Sequence, residues 1–187
     1  MIQDFFKESR DLLDEHKLSV DIQGSNYYRY ARSFSGAFEE FIEAVSFYHF
    51  LLYEKVITKE QVDAYFQNDN VQWLSVRNED YILGLADLTG ELMRYAIQIV
   101  SSGKYDRAMT ICKTLRDIDD DFEIIANSYL PILNKKMGAL KSSIKKVEQA
   151  CYTFQIRGSE YPKEFYLTII KNHQENYEQQ QQEQHNF

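Results

Sequence analysis

Two prolines and seven glycines in 187 residues leave little to interrupt regular structure. The long stretches between them carry apolar residues at a 3.6-residue period, so the chain reads as all-helical. Two cysteines, Cys112 and Cys151, stand in helical stretches without CxxC or Cys/His spacing. They read as buried free thiols in a reducing compartment. The N-terminus lacks the long apolar run of a signal peptide, and no run elsewhere is long enough to span a membrane. A soluble, intracellular protein is expected, cytoplasmic and with the nucleus as a second location. Cations are also scarce: 21 Lys and Arg against 29 Asp and Glu give a net charge of −8. That balance argues against a freestanding nucleic-acid binder, because phosphate contacts need Lys and Arg. The local exception is Lys135, Lys136, Lys141, Lys145 and Lys146, which a solvated helix face explains as well as an RNA track does. What the chain has in plenty is aromatic rings, including fourteen tyrosines. Part of that surplus is expected to cover an interface, where Tyr is favoured.

Along the chain, residues 2–16 form an expected amphipathic helix, and 17–25 a connection. A long helix follows over roughly 26–54. Thr58-Lys-Glu-Gln61 fits a capping box opening a short helix to about Phe66, and the polar stretch from Gln67 to Asn78 reads as a loop. A helix bearing Asp87 stops near Ser101-Ser-Gly103, with glycine as terminator. Further helices are expected over Tyr105–Asn127, over Ile132–Ile156, and from Pro162 onward. With no repeat or linker to divide it, residues 1–178 read as one domain, and 179–187 as a low-complexity Gln-rich tail.

Two segments carry acids in otherwise apolar helices. From Asp80 to Val100 the polar residues fall at 80, 87, 91, 94 and 98, one stripe at helical spacing with Thr89 as the exception. In Phe38–Leu52 the outward edge reads as Glu39, Ser46 and Tyr53. Glu40 and Glu43 lie on the row through Phe47 and Phe50, which should face protein, so they need a partner or a metal. Glu40-x-x-Glu43 and Asp87-x-x-x-Glu91 make four acids that two packed helices could bring together. Oxygen donors in that number suit a hard cation such as Mg²⁺ or Mn²⁺. The plainer alternatives are a solvated stripe pairing Glu91 with Arg94 at i,i+3, and a buried ion pair for Glu40 and Glu43.

The chain resembles the translin family. The resemblance lies in Glu40-Phe-Ile-Glu43-Ala-Val-Ser-Phe47-x-His49-Phe50, in Asp80-Tyr-Ile-Leu-Gly-Leu-Ala-Asp87-Leu-Thr-Gly-Glu-Leu-Met-Arg94, and in Lys146-Val-Glu-x-Ala-Cys-Tyr152 running into Arg157-Gly-Ser-Glu-x-Pro-Lys163. The last of these is more like the translin-associated factor X (TRAX) branch than translin itself. The resemblance implies a seven-helix α fold and a subunit that assembles with a translin-type partner into a hollow, roughly octameric shell. It further implies an Mg²⁺-dependent endoribonuclease site acting on single-stranded RNA, in small-RNA passenger-strand removal or transfer-RNA fragment trimming. Single-stranded DNA is a further expected ligand. The family's catalytic acids match Glu40, Glu43, Asp87 and Glu91. TRAX chains carry a longer N-terminal region with a long first helix and often a basic nuclear-targeting cluster. Here only 39 residues precede Glu40 and no such cluster occurs, so a short first helix is expected.

On this reading Glu43 and Glu91 are the direct metal ligands. Glu40 and Asp87 complete the shell or orient the attacking water, one of them as general base. His49 reads as a structural or RNA-side residue, and Glu148 and Glu160 as structural. Two alternatives stand beside it. One is a non-catalytic nucleic-acid-binding or scaffold subunit of a translin-type oligomer. The other is a di-iron helical bundle, which the absence of any Glu-x-x-His disfavours.

Overall fold

Phe38, Ile42, Val45 and Phe50 recur at helical spacing and are all buried, the pattern that commits helix α1, Tyr27–Tyr53, to its conformation. The computed structural model describes residues 27–68, 71–72, 75–126 and 130–157. Helix α1 stops at Glu54, whose φ of 54° is a left-handed conformation usually left to glycine. Thr58 then opens α2, Lys59–Asp63, with the expected capping box. Its Oγ1 accepts from the Gln61 N–H at 3.3 Å, and its own N–H donates to Gln61 Oε1 at 2.9 Å. A 3₁₀ turn, Ala64–Phe66, leads into two short antiparallel strands, β1 (Gln67–Asn68) and β2 (Val71–Gln72), with Gln67 opposite Gln72.

Three long helices follow: α3, Asn78–Ser101; α4, Tyr105–Ala126; and α5, Pro131–Arg157. Gly103, at φ 83°, makes the reversal after α3, its N–H donating to Val100 O at 3.0 Å. Pro131 sits at the first position of α5, where its missing N–H costs nothing. Five α-helices therefore lie among the described residues. The expected helices over 2–16 and from Pro162, and the Gln-rich tail, lie outside them.

The chain forms two compact units, residues 1–88 and 89–187, with the boundary inside α3. In the first, Phe38, Ile42, Val45, Ile57, Val62, Phe66 and Val76 make the core. Phe66 meets Phe38 and Phe41 edge-on, at 5.8 and 5.3 Å between centroids. The Tyr81 hydroxyl donates to Ile57 O at 2.7 Å, and Asp63 accepts from the Val76 N–H at 2.9 Å, so the α1–α3 connection is tied down by part-buried polar bonds as well as by apolar area.

In the second unit α4 and α5 pack together. Arg116 pairs with Glu148, and Lys141 with Glu123 at 2.6 Å. The pairs step in opposite senses along the two helices, which makes the packing antiparallel. Glu148, read as structural, is the partner of Arg116. These pairs are exposed and contribute little; the buried Ile111, Leu115, Leu133, Leu140 and Val147 carry the packing. Cys112 and Cys151 are free and buried, as expected.

Candidate active site

Helices α1 and α3 approach closely at Gly84. A Cβ built there would lie 2.7 Å from Ile42 Cβ and 3.0 Å from the Glu39 carbonyl oxygen, so only glycine allows the approach. One turn earlier along both helices, Ser35 donates to Asp80 Oδ1 at 2.6 Å. Ser35 with Asp80, then Glu39 and Ile42 with Gly84, means that the helices run in the same direction past each other. The same register brings Glu43 and Asp87 to the next turn on either side of the crossing.

Each predicted acid can now be placed. Glu43 and Asp87 are half-buried, and Glu40 is exposed. Glu91 lies one turn beyond Asp87 on the same helix, where i,i+4 side chains are neighbours, and pairs with Arg94. That is the plainer pairing foreseen from the spacing. Arg94 is 72% exposed, so the pair is worth at most about 1 kcal/mol and is easily exchanged for a stronger partner.

Two expectations about orientation are corrected. Ser46, read as part of the outward edge of α1, has 0% exposure, and its Oγ has no hydrogen-bond partner. Glu40, read as facing protein, faces solvent. The buried face of α1 runs through Phe38, Ile42, Val45, Ser46 and Phe50. Glu43 and Phe47 sit at its border and Glu40 lies beyond it. Asp80 also departs from the polar stripe: it has 0% exposure. Arg77 donates Nη2 to its Oδ1 at 2.6 Å and Nε to its Oδ2 at 2.8 Å. This Ser35–Asp80–Arg77 cluster was missed in the sequence, although Arg77-x-x-Asp80 at the start of a helix was the available signal.

Four carboxylates are the right donor chemistry for a hard divalent ion. Among the described residues, however, no three His, Cys, Asp or Glu stand close enough to hold a metal. The side chains as placed do not form a closed cage. His49 is occupied in another way: its Nδ1 lies 2.9 Å from Lys55 O.

The profile of the Translin family matches residues 2–158. The chain belongs to the translin family. It is similar to Translin-associated protein X of Rattus norvegicus, 32% identical over 194 residues that cover 90% of this chain and 67% of the rat protein. The protein of the same name from Pongo abelii is 31% identical with the same coverage. Similarity to Translin of Gallus gallus is lower, 28% over 143 residues, covering 75% of this chain and 62% of that protein. This translin-family chain thus carries Glu40, Glu43, Asp87 and Glu91 on the two helices that meet at Gly84. Among its described residues no helix is long and apolar enough to cross a membrane.

Proposed function

We propose that this chain is the RNA-cutting subunit of a translin-type hetero-oligomer, a metal-dependent endoribonuclease acting on single-stranded RNA. The observation that carries the reading is the close approach of α1 and α3 at Gly84; Glu43 and Asp87 follow about one turn further along the two helices. Glu43, Asp87 and Glu91 would hold Mg²⁺, with Mn²⁺ as the alternative. When bound, the ion supplies Lewis-acid polarisation of a phosphoryl oxygen and a more acidic water. The exposed Glu40 carboxylate would orient water and accept its proton. Arg94 leaves Glu91 at little cost and offers its charge to the RNA phosphate.

The partner reading is supported by the similarity to proteins named for association with translin. Ile124, Ile132 and Tyr152 are 80%, 59% and 65% exposed, apolar surface of the kind that subunits cover. A partner richer in Lys and Arg would supply the RNA affinity that a charge of −8 denies this chain. The second reading, a non-catalytic nucleic-acid-binding subunit, is favoured by the lack of a three-donor cluster among the described residues.

The deciding experiment is cleavage of single-stranded RNA by the chain co-purified with a translin-type partner, in Mg²⁺ and in EDTA. Glu43→Ala and Glu91→Ala should each abolish Mg²⁺-dependent cleavage while helix content and assembly stay unchanged. Wild-type rates in either variant would remove that residue from the site, and wild-type rates in both would leave the non-catalytic reading.

A further inference from the structure

Where α1 ends, a cleft of about 680 Å³ opens between its last two turns and the segment leading through α2. Tyr48, His49 and Tyr53 line it from α1, Lys55 from the reversal, Gln61 from α2 and Tyr65 from the turn beyond. Its volume falls within the range of small-ligand sites. Tyr48 and Tyr53 are 59% and 62% exposed. His49 lies 4.7 Å from Tyr53, ring centroid to centroid. A carbonyl oxygen only accepts, so the contact to Lys55 O fixes the proton of His49 on Nδ1. In the neutral ring Nε2 is then an acceptor. The lining contains one lysine and no carboxylate, in a chain whose net charge is −8. The left-handed Glu54 that turns the backbone here is an uncommon conformation for a non-glycine residue, and such positions cluster at binding sites.

We propose that this cleft is a base-binding subsite for single-stranded nucleic acid: one unpaired base stacks on Tyr48 or Tyr53, and its phosphate lies against Lys55. Stacked aromatic rings beside a cation are how proteins hold single strands without reading sequence. An apolar helix of a partner is the competing occupant, and the acid-free lining with its lysine favours a phosphate over it. The position along α1 supports the same occupant. Glu40, Ala44 and Tyr48 step four residues at a time along one exposed row, which puts the cleft about 12 Å from Glu40 along the helix. A strand anchored there would pass the acids within a few nucleotides. The inference rests on the RNA-cutting reading for its substrate, but its test does not need cleavage.

The test is fluorescence anisotropy of a labelled oligouridylate of about 12 nucleotides, in EDTA, with the chain co-purified with a translin-type partner. Tyr53→Ala and Tyr48→Ala should each weaken binding about tenfold, the size of one lost stack. Lys55→Glu should weaken it and flatten its salt dependence. Met109→Ala, on an exposed residue of α4 that does not line the cleft, should leave the affinity unchanged. Cleavage at saturating RNA in Mg²⁺ should keep its wild-type rate in Tyr53→Ala. Affinities within about twofold of wild type in both tyrosine variants would overturn the subsite while leaving the cutting reading intact. A wild-type protein that never cleaves, yet loses affinity on Tyr53→Ala, would overturn the cutting reading and keep the subsite. Loss of the translin-type partner from both tyrosine variants would make the cleft a protein interface and overturn the proposal.

Discussion

Asp80 is the most demanding single residue in the described chain. It is fully buried, and its oxygens accept from Ser35 and twice from Arg77. Asp80→Ala would remove the buried partner of Arg77 and leave a cavity, and should destabilise the fold by about 3 kcal/mol. The urea midpoint measures it, and a loss under about 1 kcal/mol would mean that the cluster is dispensable. Buried acids of another kind set the alkaline limit. Burial raises the Cys151 thiol from 9.0 to about 11. Burial, and then the Glu60 charge, raise the Tyr81 phenol from 10.0 to about 12. Both groups are held protonated by the fold, so the stability they lend is complete below about pH 9 and drains away as the pH climbs through 11 and 12. Melting temperature should therefore fall from about pH 9 upward, and native Cys151 should resist thiol reagents near pH 8. A melt that rises over that interval contradicts the burial argument.

At the scale of the element, Gly84 decides whether α1 and α3 can meet. Alanine is the better helix former by about 1 kcal/mol, yet its Cβ would press on Ile42 Cβ, which has no rotamer to escape into. Gly84→Ala should thus cost about 1–3 kcal/mol net and, on the proposed function, should lower cleavage by spreading Glu43 from Asp87. Thermal melts and cleavage rates of this one variant test both halves. Higher stability in the variant would show that the helices do not approach as described. The helices themselves were legible: periodicity placed α1, α3, α4 and α5 within a residue or two, and Thr58, Gly103 and Pro131 marked ends by their own chemistry. Which way α1 faces was not legible. Glu39, Ser46 and Tyr53 share a spacing of seven, but the small Ser46 hydroxyl is buried while the longer Glu39 stays half-buried and Tyr53 exposed. The β1–β2 hairpin was hidden too, because strands of two residues are too short to show alternation. The four acids could be named from sequence, whereas their surroundings depend on the crossing, which no local pattern encodes.

For the whole molecule, charge and apolar surface point outward to other components. If folding holds Glu43, Asp87 and Glu91 near one another, millimolar Mg²⁺ or Mn²⁺ should raise the melting temperature of wild type, and Glu43→Gln should reduce that rise. Equal melts with and without the ion would count against a preformed site. The chain by itself is expected to associate poorly with RNA and to self-associate through Ile124, Ile132 and Tyr152. Light scattering of the chain alone and of the co-purified pair checks this. A monodisperse monomer that cuts RNA as fast alone as with its partner would end the partner reading.

The bond between Ser35 and Asp80 closes over 45 residues of chain, and that span is also an interval of time on the ribosome. At ordinary synthesis rates α1 waits roughly 2–9 s before the helix that covers it is made. Through that wait Phe38, Ile42 and Val45 have only Ile57, Val62 and Phe66 of the α2 segment to pack against, so the row stays partly uncovered. The nascent chain should therefore need a chaperone during this interval, and on the proposed function its acids cannot come together before synthesis has passed α3.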